Sequence, residues 1–347
     1  MREALKLLQE AVLFRFRQRF IHLILHVTTR CNFRCNHCFV DFTRPPDELN
    51  LDQIARIAET FPDLLWLDIG GGEPFLRDDL DQILALFKAQ EYSIPTNGWM
   101  TDRILESLER ISRSIDLCKL ILTISLDGLG ATHDAVRNKP GSFERVQQTY
   151  RAVTQRFPDL RVKFNTVVSN HNMHEVLPLL RMVKDELNPS FHSILFLRGT
   201  PQNPEYHLPD TSEIRRLEDE IVTVQNEYHY GRTGILARVQ RNYQALKREL
   251  DNAIVERKEQ VIPCLAGRAH AVIYPDGGMA PCELLPEVGN VTKTPPAEIL
   301  ASEAWAKAAA RIKAGRCHCT HDCNMLDNIL FNFGLYPELF IKPRHRS

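Results

Sequence analysis

The segment CNFRCNHC (31–38) follows the apolar run IHLILHV (21–27), with three residues between them. Three thiols within eight residues can bind three corners of an iron–sulfur cube. Because only Cys31, Cys35 and Cys38 are present locally, the fourth iron is left open for a small molecule. A zinc site is the alternative, but structural zinc sites usually combine paired ligands to a total of four. The spacing therefore favours an iron–sulfur cluster with an open iron site.

Five more apolar runs of strand length follow this segment, and the segments between them, such as LDQIARIAETF (51–61), carry apolar residues at helical spacing. Strands separated by helix-sized connections pair in parallel through right-handed crossovers. The sequence thus predicts a partial (β/α)6 barrel, in which ligands bind at the carboxyl ends of the strands. The five runs are LLWLDIG (64–70), EYSIPTN (91–97), LILTISLD (120–127), RVKFNTVV (161–168) and HSILFLR (192–198).

Alternate side chains of a barrel strand face the helices and the lumen. On the first strand Leu23, Leu25 and Val27 form the helix-facing set, as do Leu65, Leu67 and Ile69 on the second strand. The same alternation places these residues in the lumen: His22, Ile24, His26, Trp66, Asp68, Asn97, Thr123, Ser125, Lys163, Asn165, Phe196 and Arg198. We expect a polar lumen; the alternative is that some of these groups pair with one another at its closed end.

Three of the lumen residues are candidate catalytic groups. His26 ranks first as a general base, because an imidazole titrates near neutrality without help. Asp68 ranks second. Lys163 ranks third, because an ammonium acts as a base only if burial lowers its pKa.

Composition excludes several classes of function. Forty-three basic residues balance 44 acidic ones, giving a net charge of -1, which favours neither nucleic acid nor an anionic membrane as the main partner. No apolar run approaches the ~20 residues that span a bilayer, and the start carries scattered arginines without a small-residue cleavage site. We expect a cytoplasmic protein whose nine cysteines are reduced and whose cysteine clusters bind metal.

Several motifs in order resemble the radical S-adenosylmethionine (radical SAM) enzymes. CNFRCNHC matches their CxxxCxxC signature, and LDIGGGEPFL (67–76) looks like their Gly-Gly-Glu-Pro motif. Similar segments follow at TNG (96–98), SLDG (125–128), HDAVRNKPGSFERV (133–146) and VKFNTVVSN (162–170). The resemblance implies a radical SAM barrel with a [4Fe-4S] cluster whose open iron binds S-adenosylmethionine. It also implies reductive cleavage to a 5′-deoxyadenosyl radical, hydrogen abstraction from a substrate, and a low-potential electron donor of the flavodoxin or ferredoxin type.

The resemblance also implies nine contacts to S-adenosylmethionine, and an ordinary loop or turn role is the alternative for each. Glycine lets backbone approach a ligand closely, carbonyl and carboxylate oxygens suit an ammonium, and a guanidinium suits a carboxylate. The expected contacts are Gly71, Gly72 and Glu73 at the methionyl ammonium, with Pro74 stiffening the turn; Ser125 and Asp127 at ribose; Asn97 and Asn165 at ribose or carboxylate; and Arg198 at the carboxylate.

The C-terminal cysteines resemble the SPASM/twitch auxiliary-cluster domain of the same superfamily. Cys264-x17-Cys282, the GxxxC that ends at Cys282, and VGNVTKTPPAEILAS (288–302) carry this likeness. Five thiols suffice for one auxiliary [4Fe-4S] cluster with one to spare. The expected ligands, in order, are Cys264, Cys282, Cys323 and then Cys319, with Cys317 as the spare. Zinc is the alternative, since His318 and His321 lie among these thiols.

The remaining segments complete the predicted domain organisation. Residues 1–20 form an amphipathic helix that packs on the barrel or, alternatively, lies on a membrane surface. The barrel then covers 21–204, a solvated helical connector 205–260, the auxiliary domain 261–325 with a hairpin at 271–282, and a tail 326–347. The lone Cys118 is expected in the core, as free cysteines usually are.

Three functions remain open from the sequence. The first is a radical SAM enzyme acting on a small polar molecule, with the auxiliary cluster accepting an electron, binding substrate or relaying electrons. The second is a maturase of a peptide or protein; such enzymes often carry a recognition domain before the barrel, for which 20 residues leave no room. The third is a non-catalytic iron–sulfur electron carrier, which needs no Gly-Gly-Glu-Pro motif.

Overall fold

The computed structural model describes residues 19–45, 47–230 and 233–340, so the predicted N-terminal helix and the end of the tail lie outside the described residues. The strands are β1 (His22–His26), β2 (Leu64–Gly70), β3 (Ala89–Thr96), β4 (Leu120–Ser125), β5 (Arg161–Val168), β6 (Phe191–Phe196), β7 (His270–Ile273), β8 (Gly278–Ala280) and β9 (Gly289–Asn290). The helices are α1 (Leu51–Thr60), α2 (Leu80–Ala85), α3 (Thr101–Ile111), α4 (Gly130–Arg137), α5 (Ser142–Arg156), α6 (Val176–Met182), α7 (Thr211–Asn226), α8 (Gly234–Arg257), α9 (Pro296–Ala301), α10 (Glu303–Lys313), α11 (Asp322–Leu330) and α12 (Tyr336–Phe340).

Within the described residues, one sheet has the strand order β6-β5-β4-β3-β2-β1-β7-β8-β9. Its first six strands are parallel, and each lies beside the next in sequence. Helices connect most of these strands, so the predicted partial barrel is confirmed. None of the described helices is long and apolar enough to cross a bilayer.

The hairpin formed by β7 and β8 extends the barrel sheet. The two strands are antiparallel, with Val272 opposite Ala280, as the PDGG turn predicts. Strand β7 also pairs in parallel with β1, with His22 opposite His270. The sequence did not predict this pairing, which makes the C-terminal region continuous with the first barrel strand.

The main apolar core lies between the barrel strands and the helices. Leu23, Leu25, Val27, Leu67 and Ile69 all belong to it, together with residues of α1, which confirms the predicted alternation at these positions. Leu65 differs from the prediction. It packs instead with Ile21, Trp66 and Ala269, because the N–H groups of both Leu65 and Trp66 donate to the Ile21 carbonyl where β2 begins.

The prediction that Cys118 packs in the core is wrong, because its side chain is exposed. Residues Leu117–Lys119 form a short 3-10 turn, and the N–H of Cys118 donates to Asp116 Oδ1 at 3.0 Å. The apolar strand starts only at Leu120. Proximity to an apolar run in the sequence therefore does not carry the thiol into the core.

The connector between the two cysteine regions is not simply solvated. Helix α8 buries five polar or charged residues: Asn242, Lys247, Arg248, Asp251 and Asn252. The Lys247 ammonium lies 2.7 Å from Asp251 Oδ2 and 3.0 Å from Asp322 Oδ1. The charged pattern predicted a solvated helix, but these charges are buried because they pair with one another and with Asp322 of α11. The pairing fixes the start of α11 beside the barrel.

We expect Lys247→Ala to lower the free energy of unfolding by about 3–5 kcal/mol, because it leaves two acidic side chains in a buried setting without their cation. The matched control is Lys307→Ala, which breaks an exposed pair with Glu303 at 2.8 Å and should cost less than about 1 kcal/mol. Anaerobic urea unfolding measures both. Equal losses in the two variants would contradict the buried pairing.

Candidate functional site

The loop after β1 carries three thiols, and each one accepts a hydrogen bond. The Phe33 N–H donates to Cys31 Sγ at 3.4 Å, and the Val40 N–H donates to Cys38 Sγ at 3.4 Å. The Arg137 guanidinium donates to Cys35 Sγ at 3.7 Å. Donors of this kind stabilise thiolates, the form in which cysteine binds iron.

The three thiols also lie close enough to affect one another's ionisation. Burial raises the pKa of Cys31 to about 12, and the nearby Cys35 and Cys38 add to the rise. Burial likewise raises the pKa of both other thiols. A bound metal would reverse this preference for the protonated thiol, because a thiol that coordinates a metal is deprotonated. The loop therefore fits three ligands of an iron–sulfur cluster.

The Gly-Gly-Glu-Pro turn after β2 packs directly against the backbone of this loop. The Gly72 N–H donates to the Thr28 carbonyl at 2.8 Å, and the Glu73 N–H donates to the Arg30 carbonyl at 2.9 Å. A Cβ at Gly71 or Gly72 would overlap these same carbonyl oxygens, and Gly71 has a φ of +116°. The two glycines are thus required for the turn and the cysteine loop to meet.

Glu73 is fully enclosed beneath that turn, with 1% of its surface exposed. Its carboxylate accepts hydrogen bonds from Thr96 Oγ1 at 2.9 Å and from the Asn97 N–H at 2.8 Å. Burial nevertheless raises the pKa of Glu73 to about 7. Its charge at neutral pH therefore depends on what binds beside it, and the ammonium contact remains a prediction.

Three of the predicted cofactor contacts carry buried polar atoms without a hydrogen-bond partner in the described part of the chain: Asp127 Oδ2, Asn165 Oδ1 and Arg198 Nε. Of these, Asp127 Oδ2 forms an ion pair with Arg137. Asn165, inside β5, pairs in register with Ser125, the last residue of β4, and Asn97 Nδ2 donates to Asn32 Oδ1 at 2.7 Å beside the cysteine loop. Buried polar atoms are normally hydrogen-bonded, so these positions fit a polar ligand.

Asp127 differs from its predicted role. It is completely buried; one oxygen accepts from the Val167 N–H at 2.7 Å, and the other lies 2.5 Å from Arg137 Nε. Because Arg137 also contacts Cys35, Asp127 holds the cation behind the cysteine loop. This geometry argues against a ribose contact. Sequence reasoning missed Arg137, although it lies in one of the family-like segments.

His26 lies in the lumen, as predicted, against a glutamate that the sequence analysis did not single out. Its Nε2 lies 2.7 Å from Glu283 Oε1, and His321 Nε2 contacts the other oxygen of Glu283. Burial opposes ionisation of Glu283, but the two histidines hold its pKa well below the usual range. Only its position directly after Cys282 could have pointed to Glu283.

Asp68 also faces the lumen, on the neighbouring strand. Its Oδ2 lies 3.0 Å from His22 Nε2 and accepts a hydrogen bond from the Cys323 thiol at 3.0 Å. Burial opposes ionisation, yet the His22 contact and the charge of the half-buried Lys163 lower the pKa of Asp68. The predicted inward register of Asp68 and Lys163 therefore agrees with the structure, and their role in catalysis stays a prediction.

Arg198 lies between the two cysteine regions. Its Nη2 is 3.7 Å from Glu283 Oε2, and its guanidinium lies 5.0 Å from the centre of the Phe39 ring, next to Cys38. The side chain is 18% exposed. Arg198 can therefore reach an anionic ligand in the lumen while it remains beside Glu283.

Four C-terminal thiols line one cavity of about 140 Å³: Cys264, Cys282, Cys317 and Cys319. Asn324 Nδ2 donates to Cys282 Sγ at 3.4 Å, and Gln260 Nε2 donates to Cys317 Sγ at 3.7 Å. Burial raises the pKa of Cys264 and Cys319 to about 11. Four thiols around one cavity, two of them buried and two half-buried, fit a fully ligated iron–sulfur cluster.

The lining of this cavity favours Cys317 over Cys323 as the fourth ligand, which differs from the order expected from the sequence. Cys317, expected to be the spare, lines it, whereas Cys323, expected to be a ligand, does not. The reason is local, because α11 starts at Asp322 and the first turn of the helix directs Cys323 towards Asp68 on the barrel. His318 also lines the cavity, so the alternative of zinc remains chemically possible there.

Comparison with known families gives two matches. A model described as the radical SAM superfamily matches residues 25–183, and one described as an iron–sulfur cluster-binding domain (SPASM) matches residues 264–324. The first implies a [4Fe-4S] cluster with S-adenosylmethionine, and the second implies auxiliary iron–sulfur chemistry.

Curated relatives agree with these matches. The chain is 30% identical to the pre-heme d1 synthase of Dinoroseobacter shibae over 60% of this chain and 52% of that protein, so it spans about half of that relative. It is 28% identical to the AdoMet-dependent heme synthase of Methanosarcina barkeri over 79% of this chain and 80% of that protein. A GTP 3′,8-cyclase of Haemophilus ducreyi is 35% identical over 33% of this chain and 35% of that protein.

Solved structures share the fold. SuiB of Streptococcus suis bound to its precursor peptide SuiA aligns with a TM-score of 0.60 at 15% identity, covering 87% of this chain and 69% of that one. Native anSMEcpe with bound AdoMet and a peptide aligns with a TM-score of 0.61 at 13% identity, covering 92% and 97%. At sequence identities this low, the similarity establishes a shared fold and nothing about function.

We expect Cys317→Ser to lose about half of the bound iron in the anaerobically reconstituted protein, because it removes one of four ligands from one of two cubes. Cys323→Ser should keep its iron. Iron and sulfide analysis measures both variants. The opposite result, with iron lost only in Cys323→Ser, would restore the ligand order expected from the sequence.

We expect the affinity for S-adenosylmethionine to rise as the pH rises through about 7. The raised pKa keeps Glu73 neutral below that pH, and only the ionised carboxylate pairs with the methionyl ammonium. Glu73→Gln should weaken binding roughly tenfold at pH 8 and remove this pH dependence. Anaerobic equilibrium dialysis measures it, with the exposed Glu109→Gln as the control. A wild-type pH profile in Glu73→Gln would exclude the contact.

Proposed function

We propose that this chain, which belongs to the radical SAM superfamily and carries a C-terminal SPASM domain, abstracts a hydrogen atom from a small polar substrate in the barrel lumen. When bound, S-adenosylmethionine and the first cluster supply a 5′-deoxyadenosyl radical, and the auxiliary cluster supplies a one-electron relay. The observation that carries the proposal is the contact between the cysteine loop and the Gly-Gly-Glu-Pro turn. Those backbone hydrogen bonds hold the three cysteines that would bind iron beside Glu73, which would accept hydrogen bonds from the methionyl ammonium.

The protein's part in this reaction is to bind and orient. Cys31, Cys35 and Cys38 hold the cluster, and Glu73 receives the methionyl ammonium. Asn165 and Arg198 have buried atoms without a partner in the described residues. These atoms would form hydrogen bonds with the remaining polar groups of the cofactor or the substrate. Ser125 and Asn97 stay candidates for ribose. This assignment explains why polar atoms remain buried without partners at the carboxyl ends of the strands.

A small substrate is favoured by the chemistry of the lumen. His26, Asp68 and Lys163 supply fixed polar contacts, which a hydrocarbon would not need. The curated relatives are named for heme, pre-heme d1 and GTP, all small molecules. A peptide substrate is the second candidate, because the neighbouring structures of SuiB and anSMEcpe hold peptides.

His26 is the proposed general base. If hydrogen abstraction occurs at a carbinol carbon, the adjacent hydroxyl becomes far more acidic and His26 accepts its proton. Glu283, 2.7 Å from His26 Nε2, orients the ring and stabilises the imidazolium that forms. General-base help of this kind is typically worth about 10²–10⁴-fold in rate.

The proposed partner that supplies electrons is a low-potential protein of the flavodoxin or ferredoxin type. The proposed location is the cytoplasm, where cysteines stay reduced and can bind iron.

The test is anaerobic incubation of the reconstituted protein with S-adenosylmethionine and dithionite, followed by quantification of 5′-deoxyadenosine. We expect the wild type and the exposed-thiol control Cys118→Ala to form it, and the triple variant Cys31→Ala, Cys35→Ala, Cys38→Ala to form none while retaining about half of its iron. Adding the small-molecule filtrate of a cell extract should stimulate formation more than the protein fraction does.

Two outcomes would contradict this function. An electron carrier would form no 5′-deoxyadenosine in any variant. Stimulation by the protein fraction alone would favour the peptide substrate instead.

A further inference from the structure

Cys323, which lies outside the four-thiol cavity, meets two barrel residues. Its Sγ is 3.0 Å from Asp68 Oδ2, which is itself 3.0 Å from His22 Nε2. All three potential ligand atoms lie within 4.8 Å of one another. They come from β1, β2 and α11, so a nitrogen, an oxygen and a sulfur donor converge from three separate elements.

His22 is held in the orientation that a metal ligand needs. Its other ring nitrogen, Nδ1, lies 3.2 Å from each oxygen of Asp327, and His270 Nδ1 lies 2.8 Å from the same carboxylate. Histidines that bind metals almost always pair their second nitrogen with a carboxylate or carbonyl, which fixes the tautomer and raises ligand basicity. Asp327 and His270 are completely buried and supply this support.

The charges around His22 favour a cation. Asp68 and Asp327 flank the imidazole on its two sides, and the Cys323 thiol adds a third group that can become anionic. Both ring nitrogens of His22 therefore face carboxylates. A divalent cation bound by His22, Asp68 and Cys323 would balance these negative charges.

The donor set and the access to it both suit zinc. Imidazole, carboxylate and thiolate are its usual ligands, and sites with three protein ligands leave a fourth position open. Tetrahedral zinc separates nitrogen and oxygen ligands by about 3.3 Å, so the 3.0 Å between His22 and Asp68 needs little adjustment. His22 is fully buried, whereas the Asp68 side chain is 21% exposed, which leaves the fourth position facing the lumen.

We propose that His22, Asp68 and Cys323 bind one zinc-class divalent cation where α11 meets the barrel, with Asp327 and His270 orienting His22. The cation ties α11 to β1 and β2. A second triplet, His22 with His270 and Asp327, is also close together, but it is completely buried and excludes the thiol. This proposal does not depend on cleavage of S-adenosylmethionine.

The test uses the protein reconstituted anaerobically with iron and sulfide and then supplied with Zn²⁺. Elemental analysis should find about one zinc per chain in addition to the iron. X-ray absorption at the zinc edge, which iron does not obscure, should show one sulfur ligand near ~2.3 Å with nitrogen and oxygen ligands. Cys323→Ser and the nearly isosteric Asp68→Asn should each lower zinc affinity at least about tenfold with the iron retained, and Cys118→Ser should keep both metals.

Four results would overturn the proposal. They are a wild-type protein without zinc, zinc bound by four sulfurs as expected for the cysteine cavity, unchanged zinc in Cys323→Ser and Asp68→Asn, and loss of iron rather than zinc in Cys323→Ser. If Cys323→Ser fails to fold, Asp68→Asn decides alone, because it keeps the volume of the side chain.

Discussion

Strand β1 pairs with β2 on one side and β7 on the other, and the two sets of backbone hydrogen bonds position both cysteine sites. The three-thiol loop leaves the end of β1, and the Gly-Gly-Glu-Pro turn leaves the end of β2 at the same edge. The β7–β8 hairpin carries the chain on to Cys282. A barrel strand and an auxiliary-domain strand that share one ladder cannot move independently. The distance between the two thiol sites is therefore fixed by backbone geometry.

The lumen between these sites holds paired charges beside an apolar cluster that contains Ile24, Val272 and Ala280. His26 pairs with Glu283, and His22 contacts both Asp68 and Asp327. Groups enclosed in this way are costly unless they are satisfied, so the network fixes the geometry of the lumen. Among the buried atoms without a hydrogen-bond partner in the described residues, Asn165 Oδ1 and Arg198 Nε lie where the proposed polar ligand would bind. His26 and Asp68 thus belong both to the structural pairing and to the proposed chemistry.

Local patterns predicted most of the barrel, since strand alternation has a period of two and places His26 and Asp68 inward. β5 has the bounds that its apolar run predicts. The errors concern long-range pairing. The roles of Arg137 and Glu283 depend on Cys35 and His26, which are distant from them in sequence, and the preference for Cys317 over Cys323 depends on where α11 begins. The spacing of residues in the sequence does not reveal these contacts or the residue at which α11 begins.

An anaerobic crystal structure of the iron-loaded protein with S-adenosylmethionine tests the central claim most directly. Anomalous scattering from iron should appear at two positions. One cluster should be bound by Cys31, Cys35 and Cys38, with the methionyl group of the cofactor on its fourth iron. The other should be bound by the four thiols of the C-terminal cavity. A cluster on the first loop with a fourth protein ligand, or iron bound by Cys323, would contradict the account.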